Sequence, residues 1–250
     1  MKAVWRALGL LLAAALALQL FFLSRIAWMA TFDPQSTTFQ RSEAWRLLHT
    51  KGKLRWRQQW LPYERISDNL KRAVIASEDG SFTNHEGVDW EALEKAWERN
   101  TQAQERAARQ GPRAAPRTQF APQPARAPKI VGGSTITQQL AKNLLLSGER
   151  TLLRKGQEFV LTFALERMLS KQRILEIYLN SVEWGEGVFG AEAAARHYYR
   201  KGADQLTAYE AARLAVMLPR PKYFERLPNS GYLASRAATI TARMRSAELP

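Results

Sequence analysis

The chain has 250 residues, 46% of them hydrophobic and 24% charged, with a formal net charge of +14 and no cysteine. The missing cysteines exclude a disulfide framework, a thiol nucleophile and the common zinc cages. Its basic residues are spread along the chain without a recognition-helix or zinc motif, so no nucleic-acid partner is expected, and the charge suits an anionic membrane surface.

Residues 7–24 carry no charge, and Arg25 is followed by Ile26-Ala27-Trp28-Met29-Ala30-Thr31-Phe32. A helix of about 20 residues crosses a bilayer core, with Arg25 reaching outward to the headgroups. One transmembrane anchor over residues 7–32 is therefore expected, behind a short tail of residues 1–6. Lys2, Arg6 and the amino terminus favour a cytoplasmic tail and an exported remainder. The rival reading, a cleaved signal peptide, is disfavoured by the length of the apolar stretch and by Trp28 where a small residue is wanted before Ala30. Residues 33–61 read as a juxtamembrane segment. Arg41, Trp45, Arg46, Lys51, Lys53, Arg55, Trp56 and Arg57 fit equally a stretch lying along the headgroups and a solvated connector.

A folded domain is expected over residues 62–245. Pro62-Tyr63-Glu64-Arg65-Ile66-Ser67 opens it, with Ser67 as N-cap of a helix carrying Leu70, Val74 and Ile75. That helix delivers Glu78 to its end, followed by Asp79-Gly80-Ser81-Phe82-Thr83-Asn84-His85-Glu86-Gly87. A carboxylate between apolar atoms and an open cleft has a raised pKa and suits general-base work, although any helix can end in Glu-Asp and turn at glycine. Residues 100–129, with Pro112, Pro116, Pro122, Pro124 and Pro128 among Ala, Gln and Arg, read as a flexible insertion that cannot build a core.

Gly132-Gly133-Ser134-Thr135-Ile136-Thr137-Gln138-Gln139 follows, a poor core and a good lining for a polar ligand, and Lys142 and Asn143 lie beyond it on helix. From Ile136 onward the pattern is successive amphipathic helices with breaks at Ser147-Gly148, Ser170-Lys171, Trp184-Gly185 and Lys201-Gly202, and no run alternates long enough for a substantial sheet. Arg154 and Lys155 precede Glu158 by four and three residues, so the three share a helix face; spacing alone also fits an ordinary surface ion-pair cluster. His49, His85 and His197 show no pair at ligand spacing, so a zinc site is not expected.

These segments resemble the peptidoglycan glycosyltransferases, the lysozyme-like membrane enzymes that polymerise lipid II. The likeness runs from Glu78-Asp79-x-x-Phe82-x-x-His85-x-Gly87 through Gly132 to Gln139, Arg154-Lys155-x-x-Glu158 and Arg173 to Asn180, then Glu183-Trp184-Gly185 and Ala211 to Pro221, covering roughly residues 62 to 223. It implies a mainly α, lysozyme-like domain behind one transmembrane helix at the bacterial cytoplasmic membrane, with the catalytic domain on the periplasmic side. Glu78 is the implied general base and Glu158 the second important carboxylate, orienting Arg154 and Lys155 toward pyrophosphate or holding a divalent ion, Mg²⁺ or Mn²⁺; no organic cofactor is implied. Asp79, Ser134, Thr135, Gln138, Lys142, Asn143, Arg154 and Lys155 become substrate-binding candidates, and Phe82, His85 and Gly87 supports of the loop behind Glu78. Asp79, turned about 100° from Glu78 on a helix, is expected to support the site's hydrogen bonding rather than share the proton. Glu183 reads as architecture of the groove, with a substrate contact as the alternative. Implied partners are lipid II, the nascent glycan chain, membrane lipids and proteins of cell division or cell-wall synthesis. A lytic enzyme would not need the basic cluster near Glu158. The Ser-x-x-Lys and Lys-Thr-Gly motifs of a bifunctional penicillin-binding protein do not occur here, and a noncatalytic scaffold would tolerate loss of Glu78 or Glu158, both of which are present.

Overall fold

The computed structural model describes residues 1–109, 133–149 and 151–250. They fall into two compact units: one made of residues 1–88 and 135–250, the other of residues 89–134.

The first unit begins with α1 (Lys2–Met29), a helix of 28 residues and about 42 Å at 1.5 Å per residue. It is long and apolar enough to cross a membrane and fits a single-pass anchor. Only its later turns are buried. Phe22, Ile26 and Met29, at helical spacing, pack toward α6 (Leu152–Met168), and Gln19 and Gln157 exchange two amide hydrogen bonds of 2.8 and 3.0 Å. Next comes α2 (Thr38–Lys51), opened by a capping box between Thr37 and Gln40 and closed by Gly52 in the left-handed conformation. Gln40, Glu43 and Leu47 of α2 are buried, and Gln40 Nε2 donates to Ser181 O at 3.2 Å. Residues 33–61 are thus not a separate juxtamembrane stretch throughout: the folded unit already includes α2, whose buried stripe is partly polar and includes the ion-paired Glu43.

A three-stranded sheet follows the order β1-β3-β2, with β1 (Arg57–Gln58) parallel to β3 (Val188–Phe189) and β2 (Glu183–Gly185) antiparallel to it. Arg57 pairs with Val188 and Gln58 with Phe189. Gly187 turns β2 into β3 at φ +73°; a Cβ there would stand 2.0 Å from Arg55 O, so only glycine fits. Beside the sheet, Asn180 acts as a piece of backbone, its Oδ1 accepting from Leu61 N–H and its Nδ2 donating to Leu61 O, both at 2.9 Å.

The remaining helices of this unit are α3 (Asp68–Glu78), α5 (Ile136–Leu145), α6, α7 (Lys171–Ser181), α8 (Ala191–Tyr199), α9 (Ala208–Met217), α10 (Pro221–Glu225) and α11 (Gly231–Arg243). The mainly helical expectation holds. Most starts are written in the sequence: Ser67, Thr135, Thr151, Ser170, Thr207 and Ser230 each accept a backbone N–H three residues on. One core joins Leu70, Val74 and Ile75 of α3 to Ile174 and Tyr178 of α7 and Leu214 of α9, around the fully buried Trp184, whose Nε1 donates to Leu214 O at 3.1 Å.

The second unit contains α4 (Trp90–Arg109), started by Asp89 Oδ1 accepting Ala92 N–H at 2.7 Å. This helix runs ten residues into the segment 100–129 that composition assigned to a flexible insertion, since the Ala, Gln, Glu and Arg residues of 102–109 are good helix formers ahead of the first proline. Residues 110–129 lie outside the described residues.

Candidate active site

Helix α3 ends at Glu78 because Asp79 leaves helical geometry (φ −162°, ψ 74°) while its N–H still donates to Ile75 O at 2.9 Å. The turn leaves Glu78 half-buried and sends Asp79 inward, so that the adjacent carboxylates have different surroundings. Both Asp79 oxygens are engaged. Oδ2 accepts Ile136 N–H, at the N-terminus of α5, and Oδ1 accepts His85 Nε2–H, each at 2.9 Å. Gly87 N–H donates to His85 Nδ1 at 3.1 Å, which leaves the ring proton on Nε2 for Asp79. Asp79 is therefore a brace between α3, the His85 loop and α5, the supporting role expected from its position one residue past Glu78.

The loop behind Glu78 is supported as expected. Phe82 is fully buried with its ring edge-on to His85, and Lys171 Nζ stands 4.6 Å over its face. Gly87 adopts φ +87°, and a Cβ there would lie 2.7 Å from Thr162 Cγ2 and 2.8 Å from Glu166 Cγ. Gly87→Ala should destabilise the chain by about 2–4 kcal/mol through strain and overpacking, read as a lower denaturation midpoint of the detergent-solubilised protein. An unchanged midpoint would contradict this packing.

Thr135 and Gln138 are buried and close a capping box: Thr135 Oγ1 accepts Gln138 N–H at 3.2 Å, and Gln138 Oε1 accepts Thr135 N–H at 3.0 Å. Thr135 Oγ1 also donates to Gly87 O at 2.6 Å. These two substrate-binding candidates hold α5 against the Glu78 loop. The next residue, Gln139, is turned about 100° around the helix and reaches the carboxylate: its Nε2 donates to Glu78 Oε2 at 3.1 Å. Its Oε1 accepts from Tyr178 Oη at 2.9 Å. The Tyr178 hydroxyl is held well above the usual phenol range, first by burial and then by the nearby Glu78 and Asp79 charges, so it stays a donor and fixes the Gln139 amide with Nε2 toward Glu78. Burial raises the pKa of Glu78, with a smaller rise from Asp79; the hydrogen bonds from Gln139 and Ser77 oppose it.

About one turn further along α5, the same face enters a cleft of about 720 Å³, lined by Gln139, Lys142, Asn143, Arg154, Glu43 and Glu183 among others. Glu78 is not itself a wall of this space and meets it through Gln139. On α6, Arg154 Nη1 donates to Glu158 Oε2 at 3.0 Å and Lys155 Nζ pairs with Glu158 Oε1. Glu158 is buried, and Arg154 Nε, also buried, has no hydrogen-bond partner among the described residues. Glu158 thus orients two cations. It does not fit a metal ligand, because both its oxygens face ammonium or guanidinium groups and no cluster of three acid or histidine side chains suited to a metal occurs among the described residues. Ser134, exposed, belongs to the second unit.

Residues 46–112 and 121–245 match the family model described as Transglycosylase. The chain belongs to the transglycosylase family. It is 52% identical over 239 residues to the biosynthetic peptidoglycan transglycosylase of Bordetella pertussis, covering 96% of this chain and 91% of that protein. It is 50% identical over 242 residues to the protein of the same name in Burkholderia thailandensis, with 97% and 86% covered. The one in Herminiimonas arsenicoxydans is 49% identical over 235 residues, with 94% and 92% covered. The helical fold of this transglycosylase is of the lysozyme-like class implied by the motifs.

Two residues that the sequence reading gave no individual role, Gln139 and Tyr178, form the relay that holds Glu78. A signal existed for the first: Thr135-x-x-Gln138 is a capping-box pattern, which assigns Gln138 to the helix start and leaves Gln139 as the glutamine able to face the ligand.

Proposed function

We propose that this peptidoglycan glycosyltransferase polymerises lipid II into β-1,4-linked glycan with Glu78 as general base. The observation that carries the reading is the Tyr178–Gln139–Glu78 chain of hydrogen bonds, which aims a carboxylate of raised pKa beside a cleft bearing Lys142 and Arg154. Glu78 takes the proton from the acceptor sugar 4-hydroxyl, whose oxygen attacks C1 of the growing chain. The bond from C1 to the pyrophosphate oxygen breaks with inversion, and polyprenyl pyrophosphate leaves as a stable anion. A base is therefore needed more than an acid. Lys142, Arg154 and Lys155 supply positive charge for the leaving group, with Glu158 holding the latter two in place. Asn143 adds a polar contact from the cleft wall.

The anchor α1 and the basic amino terminus support a single-pass placement in the bacterial cytoplasmic membrane, with the catalytic unit on the periplasmic side. Membrane lipids and other cell-wall synthesis or cell-division proteins are the partners in this reading.

The test is polymerisation of labelled lipid II by the detergent-solubilised full chain with Mg²⁺ or Mn²⁺. The expected result is glycan polymer, with kcat/KM climbing as pH rises through the elevated pKa of Glu78, since only the ionised carboxylate accepts a proton. Folded protein that binds lipid II and yields no polymer under any of these conditions would make a noncatalytic scaffold the better reading. A divalent cation requirement is a separate proposal; EDTA is expected to stop polymerisation and added Mg²⁺ or Mn²⁺ to restore it, whereas full activity in EDTA would remove it.

A further inference from the structure

The wall of the cleft contributed by α2, β2 and α10 contains a charged group that the reaction described above does not use. Glu43 and Glu183 both line the cleft, with Lys222 between them: Lys222 Nζ is 2.5 Å from Glu43 Oε2 and 3.4 Å from Glu183 Oε1. Glu43 is well satisfied, because Arg46 Nε also donates to it at 2.8 Å. Glu183 is only half satisfied. Its side chain is 5% exposed and the backbone N–H of Gly187 supports the carboxylate, but its buried Oε1, 3.4 Å from Lys222 Nζ, has no hydrogen-bond partner among the described residues. Buried carboxylate oxygens without such partners are rare in folded proteins, and one in a ligand cleft points to a missing donor.

The chemistry of that donor follows from the charges around it. Glu43, Glu183 and Glu186 stand against Arg46, Lys51 and Lys222, with Arg46 and Lys51 pairing to Glu186. Lys222 already places a cation 3.4 Å from Glu183 Oε1, so that oxygen suits a neutral donor rather than a second cation. The covering group is movable: Lys222 is one-third exposed on four rotatable bonds and can follow Glu43 outward when a donor arrives.

We propose that Glu183 is a further substrate-contacting residue, whose carboxylate accepts a hydrogen bond from a neutral hydroxyl or amide N–H of the lipid-linked disaccharide in this cleft. The assignment rests on the glycosyltransferase reading. Burial raises the Glu183 pKa to about 7, against the lowering effect of Lys222, so its ionisation falls where it can be followed kinetically. The charged and titratable groups acting on it are Lys222 on α10 and Glu43 on α2, while Tyr198 on α8 senses its charge in turn.

The test measures kcat and KM of the full chain in detergent with lipid II, alongside the denaturation midpoint. Glu183→Gln, whose neutral amide oxygen accepts more weakly than a carboxylate and whose NH2 cannot accept, is expected to raise KM about tenfold with kcat within about threefold of wild type and the midpoint retained. Repeating this with a lipid-linked disaccharide lacking the stem peptide locates the donor: the KM effect persists if the donor is on the sugars and disappears if it is a peptide amide. Should Glu183→Gln not fold, Lys222→Ala reads the same contact from a position that is only partly buried. Removing the cation moves the Glu183 ionisation in the pH profile of KM to higher pH. Polymer from wild type with an unchanged KM in folded Glu183→Gln, or an unmoved profile in Lys222→Ala, overturns the contact while leaving the glycosyltransferase reading intact. No polymer from wild type removes both.

Discussion

Glu78→Gln is expected to lower the rate of lipid II polymerisation by about 10³-fold or more while leaving the protein folded. The substitution keeps the size and planarity of the side chain, and its carbonyl oxygen can still accept from Gln139 Nε2, so the relay to Tyr178 survives. What is lost is the proton acceptor. Stability should be retained or slightly improved above neutral pH. The folded-state pKa of Glu78 is raised, so between its unfolded and folded values the folded chain holds more protons than the unfolded one, and ionisation at higher pH costs stability. Glutamine removes that cost. The measurement pairs single-turnover polymerisation with a denaturation midpoint at pH 8. A folded variant that polymerises within tenfold of wild type would sink the base assignment, and a collapse of the midpoint would show that the charge is structural.

How far the sequence discloses this site depends on the distance over which each contact acts. Helix α3 was readable because its cap Ser67 and its stripe Leu70, Val74 and Ile75 are local, and they place Glu78 at the helix end. The Arg154, Lys155 and Glu158 group was readable for the same reason, being one turn of one helix. The partner of Asp79 was not: the local turn of about 100° from Glu78 indicates a supporting role, but Ile136 N–H is 57 positions away. The cleft wall is harder still, since Glu43 meets Lys222 across 179 positions. Helix α2 was read as a surface stretch because its buried face includes Gln40 and Glu43, which a hydrophobic pattern counts as exposed. Strands of two or three residues carry no usable alternation, so the small sheet that positions Glu183 left no trace.

Asp79→Asn is expected to cost both stability and activity, in contrast to Glu78→Gln. Asparagine nearly matches aspartate in shape, but the two partners here are both donors: Ile136 N–H on one oxygen and His85 Nε2–H on the other. An amide offers one acceptor and one N–H group, so one partner must face a donor. If it is Ile136, a buried N–H in the first turn of α5 loses its acceptor, along with the negative charge that favours a helix N-terminus. If it is His85, the ring gives up the geometry in which Gly87 N–H reaches Nδ1, and the loop behind Glu78 loosens. Either way the loss is about 2–4 kcal/mol, since a hydrogen bond to a charged group is broken and a donor is left unmet. Because α5 carries Gln139, Lys142 and Asn143, a shifted start also misplaces the groups that hold Glu78 and line the cleft, and kcat should fall about 10- to 100-fold, as misplaced reacting groups generally require. One further readout separates this from general damage. The Asp79 charge helps to raise the Glu78 pKa, so its removal should move the acid limb of the kcat/KM profile to lower pH. A variant with wild-type midpoint, rate and pH profile would mean that the Asp79 charge does not brace the site.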